Sequence, residues 1–108
     1  MILNCKMKKL KNIHPGDVLR EEFLNPLGIS AYRLSMDIAV PQTRISEILK
    51  GNRSVTADTA LRLSKYFGNS PNFWLGLQND FDIEEEILKR RNEIRQIKRY
   101  SEKKSNFT

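Results

Sequence analysis

The chain has 108 residues, enough for one domain and a tail, and its 30% charged and 39% hydrophobic residues are ordinary for a globular protein. Its net charge of +6 favours an anionic partner, with nucleic acid first, although a solvated basic surface would give the same value. No apolar run approaches the roughly 20 residues of a membrane span, and one cysteine and one histidine argue against a disulfide or metal site, so we expect a cytoplasmic protein without cofactors.

Residues 1–12 form a basic leader, which is either a mobile end or an arm that contacts phosphate. The first helix should begin at Pro15, with Asp17 in the first turn, where a carboxylate meets the positive end of the helix dipole. Pro26 and Gly28 are expected to end it. The side chains that form its apolar stripe are Val18, Leu19, Phe23 and Leu24. His14 has no histidine or cysteine partner, so we interpret it as an ordinary residue at the helix entrance.

Residues 30–51, SAYRLSMDIAVPQTRISEILKG, predict two short helices joined by a tight turn. Ser30 is a suitable N-cap for the first of them, which carries Leu34 and Ile38 on one face. The second should begin at Pro41, run to residue 50 and end at Gly51. Its apolar positions are Ile45, Ile48 and Leu49, and its opposite side is Thr43, Ser46, Glu47 and Lys50. A helix with such a polar outer face suits the major groove of DNA.

The spacing between Ser35, Ala39, Ile45 and Ile48 supports this interpretation further. A small Ser35 where two helices cross, Ala39 in the turn, and then Ile45 and Ile48 resemble the helix-turn-helix of phage-repressor-type proteins. That family usually has alanine at the place of Ser35 and glycine at that of Ala39, and a left-handed alanine costs roughly 1 kcal/mol. The alternative is an ordinary helix hairpin in a helical bundle.

Two further helices should complete an all-α domain over residues 13–80. Thr56 is the expected cap of the fourth, and Gly68 its end. Its inward residues are predicted to be Ala60, Leu61, Leu63, Ser64 and Phe67. Ser70 and Pro71 begin the fifth helix, which contains Phe73, Trp74 and Leu77, and the lone tryptophan is best used in the core.

After residue 80 the composition changes. Asp82 could cap a separate C-terminal helix, with Glu85 as its capping-box partner, so that residues 81–100 form a helix and residues 101–108 a disordered tail. Ile83, Ile87, Ile94 and Ile97 recur on it at helical spacing. This incomplete stripe could pack along the domain, pair with a second copy or meet another protein, and a solvated, frayed helix is an equal alternative.

The helix over residues 41–50 supplies the predicted base-reading residues, Gln42, Thr43, Arg44, Ser46 and Glu47. Gln42 can pair bidentately with adenine, and the methyl group of Thr43 can touch that of thymine. Arg44 lies to one side and could reach a guanine edge or a phosphate, Ser46 could act through water, and Glu47 can accept from cytosine while repelling phosphate.

Phosphate contacts are expected from both helix ends that flank the turn. The candidates are Ser30, Arg33, Lys50, Asn52 and Arg53. One such domain makes few contacts, so we expect a homodimer that places two recognition helices one turn apart on a palindromic operator in double-stranded DNA. Residues 73–81 and the last helix are the best candidates for its interface.

A wider resemblance covers about residues 13–82. HPGDVLREEFL, VTADTALRLSKYFG and SPNFWLGLQ make the chain similar to the HigA-type antitoxins, also called virulence-associated protein I. The resemblance implies an antitoxin that represses its own operon and binds a partner toxin, typically an RNase of the RelE-like fold. It does not identify the toxin-contacting residues.

Two other functions remain possible from the sequence, and a third is not expected. A stand-alone repressor without a toxin fits the same residues. An enzyme is not expected, because we find no nucleophile with its base, no phosphate-binding glycine loop and no metal cluster. A helical adaptor could use the basic surface on proteins or RNA, and sequence-specific binding to promoter DNA would separate it from a DNA reader.

Overall fold

The computed structural model describes residues 12–101 of the protein. The basic leader up to residue 11 and the tail from residue 102 lie outside the described residues, so what was expected of them stays a prediction. Within the described part the protein is all-helical, as predicted, with five helices and no strand. They are α1 (residues 15–27), α2 (Ala31–Ile38), α3 (Gln42–Leu49), α4 (Ala57–Phe67) and α5 (Pro71–Arg95).

Helix α1 is continuous but not regular. It consists of an α turn over Pro15–Val18, a π segment over Leu19–Leu24 and a last turn over Asn25–Leu27. Pro26 therefore lies inside the helix and does not end it, because the wider π turn before it relieves the clash that a proline ring makes with a preceding carbonyl. Gly28 ends the helix as predicted, with a left-handed φ of 67°.

The turn between α2 and α3 has the predicted geometry. Ser30 caps α2, because its Oγ accepts from the Arg33 N–H at 3.0 Å. Ala39 has φ 59° and ψ 52°, so an alanine occupies the left-handed position that usually suits glycine. Helix α3 begins one residue later than expected, with Pro41 as its N-cap, and ends at Leu49.

One hydrophobic core joins all five helices. It contains the fully buried Leu19 of α1, Leu34 of α2, Ile45 and Ile48 of α3, Leu63 of α4 and Trp74 of α5. Trp74 is buried as predicted, and its Nε1 donates to the side-chain oxygen of Asn69 at 3.0 Å. The prediction was wrong for Leu61, which is exposed, because the inward side of α4 continues through Thr59 instead.

The predicted separate C-terminal helix is wrong. Helix α5 continues without a break from Pro71 through residue 82, so Asp82 caps nothing, and its carboxylate instead accepts from the Gln78 side chain at 2.9 Å. The only irregular residue within α5 is Arg90, with φ −121° and ψ 28°. The helix ends at Arg95, and residues 97–100 are not helical.

Two side-chain amides tie α5 to other parts of the fold. Gln78 is buried and accepts from the Val55 N–H, in the loop before α4, at 2.8 Å. Asn12 donates to the Phe81 carbonyl at 2.9 Å, which anchors the chain just ahead of α1 on α5. The first half of α5 is thus part of the domain, and it positions α1 and the loop that precedes α4.

Candidate nucleic-acid interface

Helix α3 presents its polar side outward. Ile45 and Ile48 are 0% exposed. The side chains of Gln42, Thr43 and Glu47 are exposed, and Ser46 is half-buried. This orientation is the one that the apolar spacing predicts, because a period of 3.6 residues places positions 45 and 48 on the side opposite 43 and 47.

The C-terminal end of α3 rests directly on α1. A side chain at Gly16 would place its Cβ 1.9 Å from the Ile48 carbonyl oxygen, so only glycine allows the two helices to approach this closely. The Arg20 guanidinium donates to the Leu49 carbonyl at 2.9 Å and also lies 3.4 Å from the Asp17 carboxylate. Arg20 thereby satisfies a helix-terminal carbonyl and places a cation at the negative end of the α3 dipole.

His14 fixes the start of α1 against this end of α3. The Nδ1 atom of His14 accepts from the backbone N–H of Gly16 at 2.9 Å, and the backbone N–H of His14 donates to the Asp17 carboxylate at 3.2 Å. The side chain is buried and its ring meets that of Phe81 edge-on at 4.8 Å. Burial lowers the pKa of His14, against the opposing effects of Asp17, Asp82 and the Arg53 backbone. Neutral imidazole is therefore the form that caps the helix.

Arg44, a predicted base-reading residue, is held by helix α4. Its guanidinium donates to the Asp58 carboxylate at 2.6 Å and to the Thr59 hydroxyl at 3.4 Å. The Arg44 side chain is 25% exposed, whereas Gln42 and Thr43 lie open on the outer face. A contact between Arg44 and a base or phosphate requires this ion pair to open or to be shared.

The predicted phosphate contacts lie at the start of α2 and just after α3. The three with no acidic partner described for their side chains, Ser30, Lys50 and Asn52, are exposed. Arg33 is paired with Asp37 at 3.3 Å, and Arg53 with Glu47 at 3.1 Å. Both ion pairs are exposed to solvent and contribute little stabilising free energy, so phosphate can compete for both arginines. The Glu47 carboxylate, predicted to accept from cytosine, is shared with Arg53.

Helix α4 supports the turn through side chains that were not predicted as part of the site. Arg62 donates from one nitrogen to the Ile38 and Ala39 carbonyls, at 2.8 and 3.2 Å, and from its Nε to Asp58 at 2.9 Å. The two arginines lower the pKa of Asp58, Arg62 more than Arg44, so the carboxylate stays ionised. An aspartate four residues before an arginine on one helix face was the available signal.

The surface has the parts of a DNA-reading element. Among residues 12–101 no group of three metal-ligating side chains is found, and no helix in that range is long and apolar enough to cross a membrane. A buried apolar side, an outward polar side and flanking cations define the class as a helix-turn-helix DNA-binding protein.

Comparison with known proteins agrees. Residues 19–74 match the sequence profile of a helix-turn-helix family. Over 83 residues the chain is 49% identical to virulence-associated protein I of Dichelobacter nodosus, covering 77% of both chains. It is 34% identical to antitoxin HigA-1 of Vibrio cholerae, covering 71% of this chain and 74% of that one. The chain belongs to the HigA-type antitoxins, a family of helix-turn-helix DNA-binding regulators and not of enzymes.

A solved structure supports the same assignment. The Pseudomonas aeruginosa antitoxin HigA, whose structure includes the higBA promoter, superimposes with a TM-score of 0.81 at 32% identity, over 84% of this chain and all of the other.

Proposed function

We propose that this protein is the DNA-binding antitoxin of a toxin–antitoxin module, which represses its own operon as a homodimer and neutralises an RNase toxin of the RelE-like fold. The observation that carries the DNA-binding half is the orientation of α3, with Ile45 and Ile48 fully buried and Gln42, Thr43 and Glu47 outside. The toxin-binding half rests on the family, since the relatives include a named HigA antitoxin.

Base reading is assigned to the start of α3. Gln42 and Thr43 occupy its first two positions, and the N-terminal residues of a recognition helix reach deepest into the major groove. The Gln42 amide offers a donor and an acceptor, which match N7 and N6 of adenine. Ser46 and Glu47 follow one turn later, so they would read the neighbouring base pairs.

Phosphate binding is assigned to the exposed cations beside these residues. Lys50 and Arg53 follow α3, and Arg33 lies in the first turn of α2, so cations are present at the start of α2 and just after α3. Contacts of this kind position a protein without reading sequence, and they make its affinity fall with salt. Each lost phosphate contact should reduce the salt dependence by about one counterion.

The test is protection mapping on the DNA upstream of the protein's own gene. We expect two protected stretches with centres about 10 base pairs apart, or a multiple of that distance, as for paired recognition helices. Replacing Gln42 with alanine should cost about 1–3 kcal/mol of binding free energy and relax sequence preference. Gln96→Ala is the matched control, because it makes the same change at an exposed position beyond the end of α5. Unchanged preference in Gln42→Ala would reject this assignment.

Homodimer formation is assigned to the second half of α5. Ile83, Ile87 and Ile94 follow one another at helical spacing, and all three are exposed, as is Leu88. We expect Ile87→Glu to give a monomer in sedimentation velocity and to weaken operator binding. Asn92→Glu adds the same charge at an exposed position outside this apolar series and should stay dimeric. A wild-type protein that sediments as a monomer at all concentrations would rule out this part of the proposal.

The toxin-neutralising half needs a separate experiment. The protein should be co-expressed with the product of the adjacent reading frame, and growth and complex formation measured. Rescue of growth and a stable complex would support the antitoxin. A complex-free protein with no rescue, but with promoter protection, would leave the stand-alone repressor as the function.

A further inference from the structure

The first turns of helix α4 carry an ion-pair network that reaches both helices of the helix-turn-helix. Asp58 uses its two carboxylate oxygens separately, Oδ1 for Arg62 at 2.9 Å and Oδ2 for Arg44 of α3 at 2.6 Å. Arg44 also reaches the hydroxyl of Thr59, which is 1% exposed. One carboxylate outside the motif thus restrains a side chain of the recognition helix.

The other end of the network is the turn itself. Arg62 donates to the carbonyls of Ile38 and Ala39, where α2 ends and the chain takes its left-handed residue. Carbonyls in the last turn of a helix have no partner within the helix, and a cation there meets the negative end of the dipole. The network therefore runs from the turn, through Arg62 and Asp58, to Arg44 on α3.

The sign of the charge argues against a direct role of Asp58 in DNA binding. A carboxylate beside a phosphate-binding surface repels the backbone and lowers affinity for every sequence. The contacts give it another use, because an arginine side chain that is already oriented loses less rotational freedom when it binds. The same contacts tie the carbonyls of the turn, through α4, to Arg44 of α3.

We propose that Asp58 and Arg62 are positioning residues for operator recognition, which hold the turn and Arg44 in the arrangement that discriminates the operator from other DNA. They touch no base in this role. The proposal rests on the proposed DNA-binding function and adds to it that sequence preference depends on two residues outside the helix-turn-helix.

Helix α5 supplies a matched control. Glu86 and Arg90 form an ion pair at 2.7 Å with the same spacing of four residues as Asp58 and Arg62, and with similar exposure. Both pairs should contribute little to stability, as exposed pairs do. Only the α4 pair is connected to the turn and to α3, so only its loss should change DNA recognition.

The experiment measures dissociation constants of the full chain for its own promoter duplex and for a scrambled duplex of the same composition, at several salt concentrations. The proteins are wild type, Asp58→Asn, Arg62→Lys and the control Glu86→Gln. Thermal unfolding of each verifies that it is folded. The readout is the ratio of the two constants, because a purely structural or purely electrostatic effect changes both in parallel.

We expect Asp58→Asn to bind scrambled DNA at least as well as wild type, because a negative charge is lost, while the ratio falls about tenfold, as for one lost base contact. Arg62→Lys should lower the ratio without changing the charge, since one ammonium group cannot bridge the carboxylate and both carbonyls. Glu86→Gln should leave the ratio unchanged. Because Glu86 lies in the half of α5 assigned to the dimer, sedimentation velocity verifies that this variant dimerises as wild type does.

The outcomes distinguish a failure of the proposed DNA-binding function from a failure of the positioning role alone. A wild-type protein with no preference for its promoter would reject the proposed function itself. A wild-type preference that persists within twofold in Asp58→Asn and Arg62→Lys would overturn the positioning role alone. An increased ratio in Asp58→Asn would also overturn it, because Asp58 would then compete with the operator for Arg44.

Discussion

The helix-turn-helix and the second half of α5 differ in what holds each of them. Helix α3 has two fully buried isoleucines and direct backbone contact with α1 at Gly16. In α5 beyond Asp82, Ile83, Ile87 and Ile94 are exposed, and Arg90 forms local ion pairs with Glu86 and Glu93.

This difference shows how one chain prepares two kinds of surface. The polar side of a DNA-reading helix must be held in place before binding, because ordering a flexible helix during binding costs free energy and lowers the affinity. An apolar helix face that residues 12–101 leave exposed gains its stabilisation only when it is removed from water by a partner. The predictions below test this contrast, from the largest expected effect to the smallest.

The largest difference is expected between two isoleucines. Ile45→Ala removes a 0% exposed side chain from the core and should lower the free energy of unfolding by about 2–5 kcal/mol. Ile94→Ala makes the same change at a position 53% exposed and should stay within about 0.5 kcal/mol in dilute protein. Urea titrations measure both, and equal losses would contradict the contrast.

Two glycines test the contact between α1 and α3. Gly16→Ala places a methyl group against the Ile48 carbonyl oxygen and should destabilise the protein by about 1–3 kcal/mol. At Gly76, in α5, an added Cβ meets nothing within 4 Å, so Gly76→Ala should stabilise it by about 0.5–1 kcal/mol. Thermal unfolding of the two variants should move in opposite directions, and an unaffected Gly16→Ala protein would be evidence against the close approach.

The His14 cap should make stability depend on pH. In the unfolded chain the His14 imidazole titrates near its ordinary pKa of 6.5, whereas burial lowers its pKa in the folded protein. The stabilisation is therefore complete above about pH 6.5 and is lost as the pH falls through the folded-state pKa, since the unfolded state then binds more protons. Losing the cap itself costs about 0.5–2 kcal/mol.

His14→Asn keeps a capping side chain and removes the titrating group. Urea titrations between pH 8 and 5 should show wild type losing more stability than the variant. Asp17 and Asp82 oppose the lowered pKa of His14 in wild type, so the difference between the two proteins reports the net effect of burial and these two carboxylates. Parallel curves would mean that His14 does not carry the effect.

The smallest effect is expected at the turn. Ala39→Gly removes the cost of a left-handed alanine and should raise the free energy of unfolding by up to about 1 kcal/mol, partly offset by the greater freedom of glycine in the unfolded chain. Ala57→Gly, at the first position of α4, has no such strain to relieve and should not stabilise. A destabilised Ala39→Gly protein would contradict the strain at this position.

Local patterns predicted most of the domain. The spacing of Ile45 and Ile48 predicted which side of α3 is buried, and the caps at Ser30 and Gly68 set helix ends correctly. Thr56 lies at the N-cap of α4 as predicted, although its side chain makes no capping bond. The predictions failed where neighbouring residues decided the outcome. Asp82 resembles a cap in sequence, yet Gln78 binds it within a continuous helix.

The sequence by itself determined the number of helices in the DNA-binding domain, most of their buried positions (Leu61 of α4 is the exception) and the outward side of α3, because these follow from the periodic placement of apolar residues along a helix. The tertiary structure alone decided the contact of Gly16 with Ile48, the capping of α3 by Arg20 and the link from Arg62 through Asp58 to Arg44. These contacts join residues up to 32 positions apart (Gly16 and Ile48), and the distance between two such residues is set by how whole helices pack, which no local pattern records.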